Sequence, residues 1–352
     1  MGNRIKVLIV DDSALMRQQL TLLLSKHPNI EVIGSARDGR EGVEKAIRLR
    51  PDVVTMDIHM PTMDGITALQ YVMEIAPCPV IILSAYSRKG ALVTFEALEL
   101  GAFDYVTKPE VMGAAELRNT VDRLIERILA APSASSSARR RPADDEGAER
   151  EEPRDPFRKA VVIGASTGGP RAVEDIVRHL PPDFPAPVFL VQHMPPLFTS
   201  SFAERLNEKY AIRTVEAAHR MPVEPATVYV APGGKHMTVE KVLGQNQYRL
   251  AVGTVPKETM FKPSVDVTMF SLLHQLPASK LVAALLTGIG SDGAKGMVEI
   301  RKNGGFTIAE SEETAIVYGM PRAAAEMGGA SVVLPYPQIG RFIVNEVMRN
   351  GS

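Results

Sequence analysis

Residues 5–17 read IKVLIVDDSALMR. A short, unbroken run of apolar and β-branched residues, halted by two aspartates and followed by a helix-type pattern, is a buried strand feeding a helix. The same unit recurs along the first third of the chain. NIEVIGSA (29–36), DVVTM (52–56), PVIILS (79–84) and DYVTK (104–108) have the length and β-branched content of buried strands. Helix-length amphipathic segments separate them at 13–26, 40–50, 64–75 and 88–100, and a last one follows at 113–130. Five βα units in succession predict a doubly wound α/β domain built on a parallel sheet.

The composition then shifts. Residues 131–157, APSASSSARRRPADDEGAEREEPRDPF, contain almost no large apolar side chain. Such a segment cannot bury enough surface to offset its ordering entropy, so it reads as a flexible linker. Beyond it the alternation resumes with KAVVIGAS (159–166), PVFLVQHM (187–194), TVYVAPGG (227–234) and LVAALLTGIG (281–290), with helices expected at 170–180 and 200–210. The stretch 238–255 reads as a hairpin inserted into that plan. The expected organisation is therefore a first domain over 1–125, the end of its last helix and the linker over 126–157, and a second doubly wound, Rossmann-like domain over 158–352.

A chain of 352 residues accommodates two such cores. Its 40 basic and 41 acidic residues leave a net charge of −1, so no global field draws it to nucleic acid or to a membrane surface. A single cysteine, Cys78, forms no intramolecular disulfide and supports no multi-cysteine zinc site, which fits a reducing cytoplasm. The opening MGNRIKVLIVDDS lacks the pattern of a signal peptide, and no run approaches the length of a membrane helix.

Strand ends carry the chemistry. In an open parallel sheet the carboxyl ends face one crevice. There the first domain presents Asp11, Asp12 and Asp57, three carboxylates that repel one another unless a hard divalent cation such as Mg2+ joins them. Ser84 and Lys108 arrive at the same edge from PVIILS and DYVTK. VDDSALMR, MDIHMPTMDG, SAYS and TKP, in that order and spacing, resemble the receiver domain of two-component response regulators. The resemblance implies a flavodoxin-like fold. It also implies Asp57 as phospho-acceptor, Mg2+ held by Asp11, Asp12 and Asp57, Lys108 pairing with the phosphoryl group, and a switch comprising Ser84, Tyr105 and Lys108. A histidine kinase supplies the phosphate in that family.

In the second domain, KAVVIG runs into Ala165-Ser166-Thr167-Gly168-Gly169-Pro170. A glycine-rich strand-to-helix turn either cradles a phosphate at the helix N-terminus or displays a serine nucleophile. GASTGG lacks the G-x-G-x-x-G spacing, and the next strand ends in Gln192-His193 rather than in a ribose-binding acid. His193 stands one strand from Ser166, and the loop LTGIGSDGAKG displays Asp292. Nucleophile, base and orienting acid at three strand ends suit acyl-transfer chemistry. Asp266, in KPSVDV, is the weaker candidate for the acid, and His236, in APGGKHM, reads as either a substrate contact or a structural residue.

GASTGGP, VQHMPPLFTSSFAERLN, YVAPGGKHM, KPSVDVTMFSLL, LTGIGSDGAKG and VYGMPRAA resemble the catalytic domain of the chemotaxis protein-glutamate methylesterase CheB family. The receiver-linker-esterase order extends the likeness over nearly the whole chain. It implies a Ser166–His193–Asp292 triad and an oxyanion hole from the backbone of Ile289 and Thr167. It also implies no cofactor at the esterase site, and methyl-accepting chemotaxis receptors as substrates. Glutamine deamidation is implied as a second activity. Two positions depart from the family pattern, Ile289 where methionine is common and Glu310 where glutamine is common. The alternative to an esterase is a non-enzymatic adaptor that docks on receptors.

Overall fold

The computed structural model describes residues 4–109, 113–134, 157–242 and 247–349. The chain divides into two compact units, Met1–Ser136 and Ser137–Ser352.

In the first unit, β1 (Ile5–Val10), β2 (Ile30–Ala36), β3 (Val53–Asp57), β4 (Val80–Ser84) and β5 (Asp104–Thr107) form a parallel sheet in the order β2-β1-β3-β4-β5. The helices α1 (Ala14–Leu24), α2 (Gly39–Leu49), α3 (Gly65–Ile75), α4 (Arg88–Glu99) and α5 (Ala114–Ala130) alternate with them. Local chemistry starts four of these helices. Ser13, Asp38, Asp64 and Ser87 each accept a hydrogen bond from the backbone N–H three residues on, at 2.8–3.3 Å. The strand order reverses between β1 and β3, which puts the crevice of this sheet beside Asp11, Asp12 and Asp57.

The second unit has a seven-stranded parallel sheet flanked by helices. Its elements run β6 (Ala160–Ala165), α6 (Gly169–Val177), β7 (Val188–Gln192), α7 (Phe198–Lys209), β8 (Arg213–Glu216) and β9 (Thr227–Val230). An antiparallel pair follows, β10 (His236–Lys241) and β11 (Tyr248–Gly253), as the reading of 238–255 anticipated. The chain then forms α8 (Val265–Gln275), β12 (Leu281–Leu285), α9 (Ala294–Lys302), β13 (Phe306–Glu310), α10 (Met320–Glu326), β14 (Val332–Leu334) and α11 (Tyr336–Met348). The strand order is β14-β13-β12-β6-β7-β9-β8. β6 therefore lies between β7 and β12, at the point where the winding changes direction, and all three are fully buried.

The doubly wound architecture expected for both halves is present, with three strands that the apolar-run reading passed over. β8 and β14 are short edge strands with mixed exposure, and β13 reads FTIAE, an alternation of polar and apolar residues. None has the continuous apolar run that marks a central parallel strand.

One close approach shapes the second unit around its crevice. A Cβ on Gly164 would stand 2.5 Å from Val265 Cγ1, so the glycine lets the N-terminus of α8 sit directly on β6. Most of the expected linker lies outside the described residues. At its edges, Ala131–Ala134 continues α5 as a 3-10 turn, and Phe157 is already part of the second core, its ring 5.5 Å from that of Tyr248.

Candidate active site

Register brings Ser166 and His193 together. Ala165 pairs with Gln192 across β6 and β7, so the next residue on each strand stands side by side, and the His193 N–H donates to Ala165 O at 3.0 Å. The Ser166 N–H donates to Thr287 O at 3.0 Å, tying the serine to the loop after β12 on its other side. Gly288 makes that contact possible: a Cβ there would lie 2.7 Å from Ser166 Cβ and 2.4 Å from Met320 Sδ. Two residues later Gly290 takes a left-handed φ of 86°, and the loop turns to deliver Asp292.

Asp292 is saturated with donors. Its Oδ2 accepts from His193 Nε2 at 2.8 Å and from the Val265 N–H at 2.7 Å. Its Oδ1 accepts from Ser264 Oγ at 2.8 Å and from the Asp266 N–H at 3.2 Å. Burial alone would raise its affinity for a proton. The hydrogen bond and charge of His193, with the two amides at the start of α8, outweigh burial and hold the carboxyl below the ordinary carboxylate range. An ionised carboxylate only accepts, so His193 Nε2 carries the ring proton and Nδ1 keeps its lone pair. Nδ1 is buried and has no hydrogen-bond partner among the described residues.

Other unsatisfied polar atoms gather at the same place. Thr167 Oγ1 and Gln192 Oε1 are also buried without partners among the described residues. Ser166 itself is half-buried.

The weaker candidates sort themselves by contact. Asp266 turns its carboxylate to the start of α9, accepting the Gly296 N–H at 2.7 Å, and only its backbone reaches Asp292. His236 is 1 % exposed with both ring nitrogens engaged. Its Nδ1 accepts the Ser264 N–H at 3.3 Å, while Nε2 meets Pro256 O at 3.1 Å and Thr259 Oγ1 at 3.0 Å. That is a brace behind Asp292 rather than a substrate contact. Sequence reasoning missed Ser264, which caps α8 and donates to Asp292, and Phe261, whose ring stacks on the His193 imidazole. A serine just ahead of the apolar run VDVTMF, with Asp266 in the first turn, was the available signal for the cap; nothing in the sequence announced Phe261.

In the first unit, Asp11, Asp12 and Asp57 offer oxygen atoms that all lie within 4.8 Å of one another, a hard donor set suited to a divalent cation. Asp11 and Asp57 are buried and Asp12 is exposed. Lys108 Nζ stands 2.8 Å from both Asp11 Oδ2 and Asp57 Oδ2. Burial pushes the Asp57 carboxyl up, and the opposing pull of Lys108 does not fully cancel it. Ser84 and Tyr105 are both buried. The Ser84 hydroxyl is held by α4, donating to Gly90 O at 3.2 Å and accepting from Thr94 Oγ1 at 2.7 Å.

Glu310 is fully buried at the end of β13. It accepts the Thr287 N–H at 2.7 Å and the Thr314 hydroxyl at 3.0 Å, and burial pushes its carboxyl up to about 7. Thr287 also accepts the Ser166 N–H and donates its hydroxyl to Thr167 O at 2.9 Å, so Glu310 supports the turn that carries the serine.

Both units are similar to known proteins. The family model described as CheB methylesterase matches residues 161–343, and that described as response regulator receiver domain matches residues 7–122. A relative from Caldanaerobacter subterraneus subsp. tengcongensis, named protein-glutamate methylesterase/protein-glutamine glutaminase, is 47% identical across 99% of this chain and 98% of its own length. One of the same name from Archaeoglobus fulgidus is 46% identical, covering 96% of this chain and 97% of its own. Among solved structures, the CheB methylesterase catalytic domain of Thermotoga maritima aligns with a TM-score of 0.51 and 40% identity, over 53% of this chain and 97% of that one.

The raised Glu310 carboxyl has a signed consequence. Its folded value lies above the ordinary 4.5, so the stability it contributes is complete below that value and is lost as pH rises through about 7. Glu310→Gln keeps an acceptor for Thr287 and cannot ionise. Denaturant titrations should show the variant gaining on the wild type by about 2–3 kcal/mol between roughly pH 5 and pH 8. A difference that does not change with pH would contradict the assignment.

Proposed function

This chain belongs to the CheB methylesterase family, and from that premise we propose that it is a phosphorylation-activated cytoplasmic hydrolase that demethylates glutamate methyl esters on chemoreceptors. Deamidation of receptor glutamines is the second activity. The observation that carries the reading is the 2.8 Å hydrogen bond from His193 Nε2 to the ionised Asp292, at the strand end next to Ser166. Full-length similarity to proteins named for both activities supports it.

The chemistry follows from the proton inventory. His193 Nδ1, the nitrogen with a free lone pair, takes the proton from Ser166 as Oγ bonds to the ester carbonyl carbon. The ring is thus used the other way round from triads in which the acid holds Nδ1. Charge that develops on the carbonyl oxygen is received by the N–H groups of Ile289 and Thr167. Collapse breaks the bond to the methoxy oxygen, which leaves as methanol with the proton from His193. Water, deprotonated by the same nitrogen, then cleaves the acyl-serine to free glutamate. With a glutamine substrate the leaving group is ammonia.

In the receiver unit, Asp57 accepts phosphate from a histidine kinase of the chemotaxis type or from a small phosphodonor. Asp11, Asp12 and Asp57 have the donor set to hold Mg2+, which when bound offsets the charge of the incoming phosphoryl group. Lys108 pairs with the phosphoryl oxygens. Ser84 leaves its partners on α4 to follow them, with Tyr105 completing the switch.

Methanol release from a methylated chemoreceptor, with and without acetyl phosphate, tests the reading. Ser166→Ala should abolish release while leaving the fold intact, and Asp292→Asn should cost about 10^4 in rate by reversing the His193 tautomer. Robust turnover by the Ser166→Ala protein contradicts the mechanism, and a wild type that never releases methanol favours the adaptor.

Asp57→Asn should retain basal esterase activity, incorporate no phosphoryl group and gain nothing from acetyl phosphate. A variant still activated by the phosphodonor would place regulation elsewhere.

A further inference from the structure

A single hydrogen bond does not hold an imidazole in one plane. The torsion joining the ring to its Cβ is broad, and the ring can pivot about the line from Nε2 to Asp292 Oδ2. A base that must meet a serine hydroxyl in line needs that freedom removed. The structure removes it with an aromatic face. The Phe261 ring lies 4.3 Å from the His193 ring, centroid to centroid, with the two planes within 11° of parallel.

Phe261 is itself held in place. It sits in the segment 254–263 between β11 and α8, and that segment is pinned from below. His236 Nε2 meets Pro256 O and Thr259 Oγ1, and the Gly234 N–H donates to Lys262 O at 3.0 Å. Just past the segment, Ser264 donates its N–H to His236 and its hydroxyl to Asp292. The contacts close on themselves, from His236 to the segment, to Phe261, to His193, to Asp292, to Ser264 and back to His236. The carboxylate that fixes one edge of the imidazole and the ring that fixes its face share one support.

We infer that Phe261 is a positioning residue for the hydrolysis: its ring clamps the His193 imidazole in the plane in which Nε2 meets Asp292 and Nδ1 is presented to the Ser166 hydroxyl. The inference rests on the esterase reading and adds to it a residue that acts through His193. Removing the flat face leaves the triad chemically complete and geometrically loose, so it slows turnover more than it weakens binding.

The test compares Phe261→Leu, Phe261→Tyr and wild type in the full chain, with methanol release from a methylated chemoreceptor as the assay. Phe261→Leu should lower kcat by about 10- to 100-fold with KM changed by no more than about twofold. Phe261→Tyr, which keeps the stacked face, should restore kcat to within about threefold. Thermal melting and phosphorylation of Asp57 should match the wild type in both. If the Leu variant melts early, Phe261→Met, which fills similar volume without a flat face, replaces it. A rise in KM with kcat unchanged would make Phe261 a wall of the substrate cleft and overturn the inference, as would a Leu or Met variant as fast as an active wild type. A wild type without methanol release would instead remove the esterase reading.

Discussion

Burial alone would raise the affinity of Asp292 for a proton, and the donors that converge on its two oxygens, His193 and the Val265 and Asp266 amides foremost, outweigh it. Two of those donors are backbone amides at the first turn of α8, where unpaired N–H groups already favour an anion. The glycine at position 164 is what lets α8 come that close to the central strand. If the carboxylate were protonated, it could offer a proton to His193 Nε2 and the ring would lose its reason to carry one there. The tautomer and the free Nδ1 both descend from this one saturated carboxylate.

The receiver unit meets the opposite electrostatic problem at the same kind of place. Both sites lie where a parallel sheet reverses its winding, which gathers loop residues from several strand ends. Around Asp292 a lone acid is stabilised by donors. Around Asp57 three acids crowd together, and Lys108 spans two of them at 2.8 Å. An arrangement with that excess of negative charge suits a divalent cation. The Ser84 hydroxyl at this edge of the sheet is hydrogen-bonded to Gly90 and Thr94 of the neighbouring helix.

Much of this was legible in the sequence because parallel strands announce themselves as apolar runs that end in polar residues. IKVLIVDD, KAVVIGAS and LVAALLTGIG each combine the strand and its chemistry in one stretch. The edge strands β8 and β14 were not legible, since a strand with one partner and mixed exposure loses the continuous apolar signature, and in β13 Thr307 and Glu310 interrupt it. Phe261 and Ser264 were hidden for a different reason. Phe261 reaches back to the ring of His193 and Ser264 reaches forward to Asp292, and no local pattern encodes either meeting. That Asp292 meets Nε2 rather than Nδ1 of His193 is likewise a property of loop geometry, invisible in the order Ser166, His193, Asp292.

The central claim is that Asp292 dictates which nitrogen of His193 carries the proton. Nitrogen-15 NMR of the histidine-labelled chain, with His193 assigned by substitution, measures this directly at neutral pH. The account predicts a proton on Nε2 and an unprotonated Nδ1 in the resting protein. A resting His193 protonated on Nδ1 alone would contradict it.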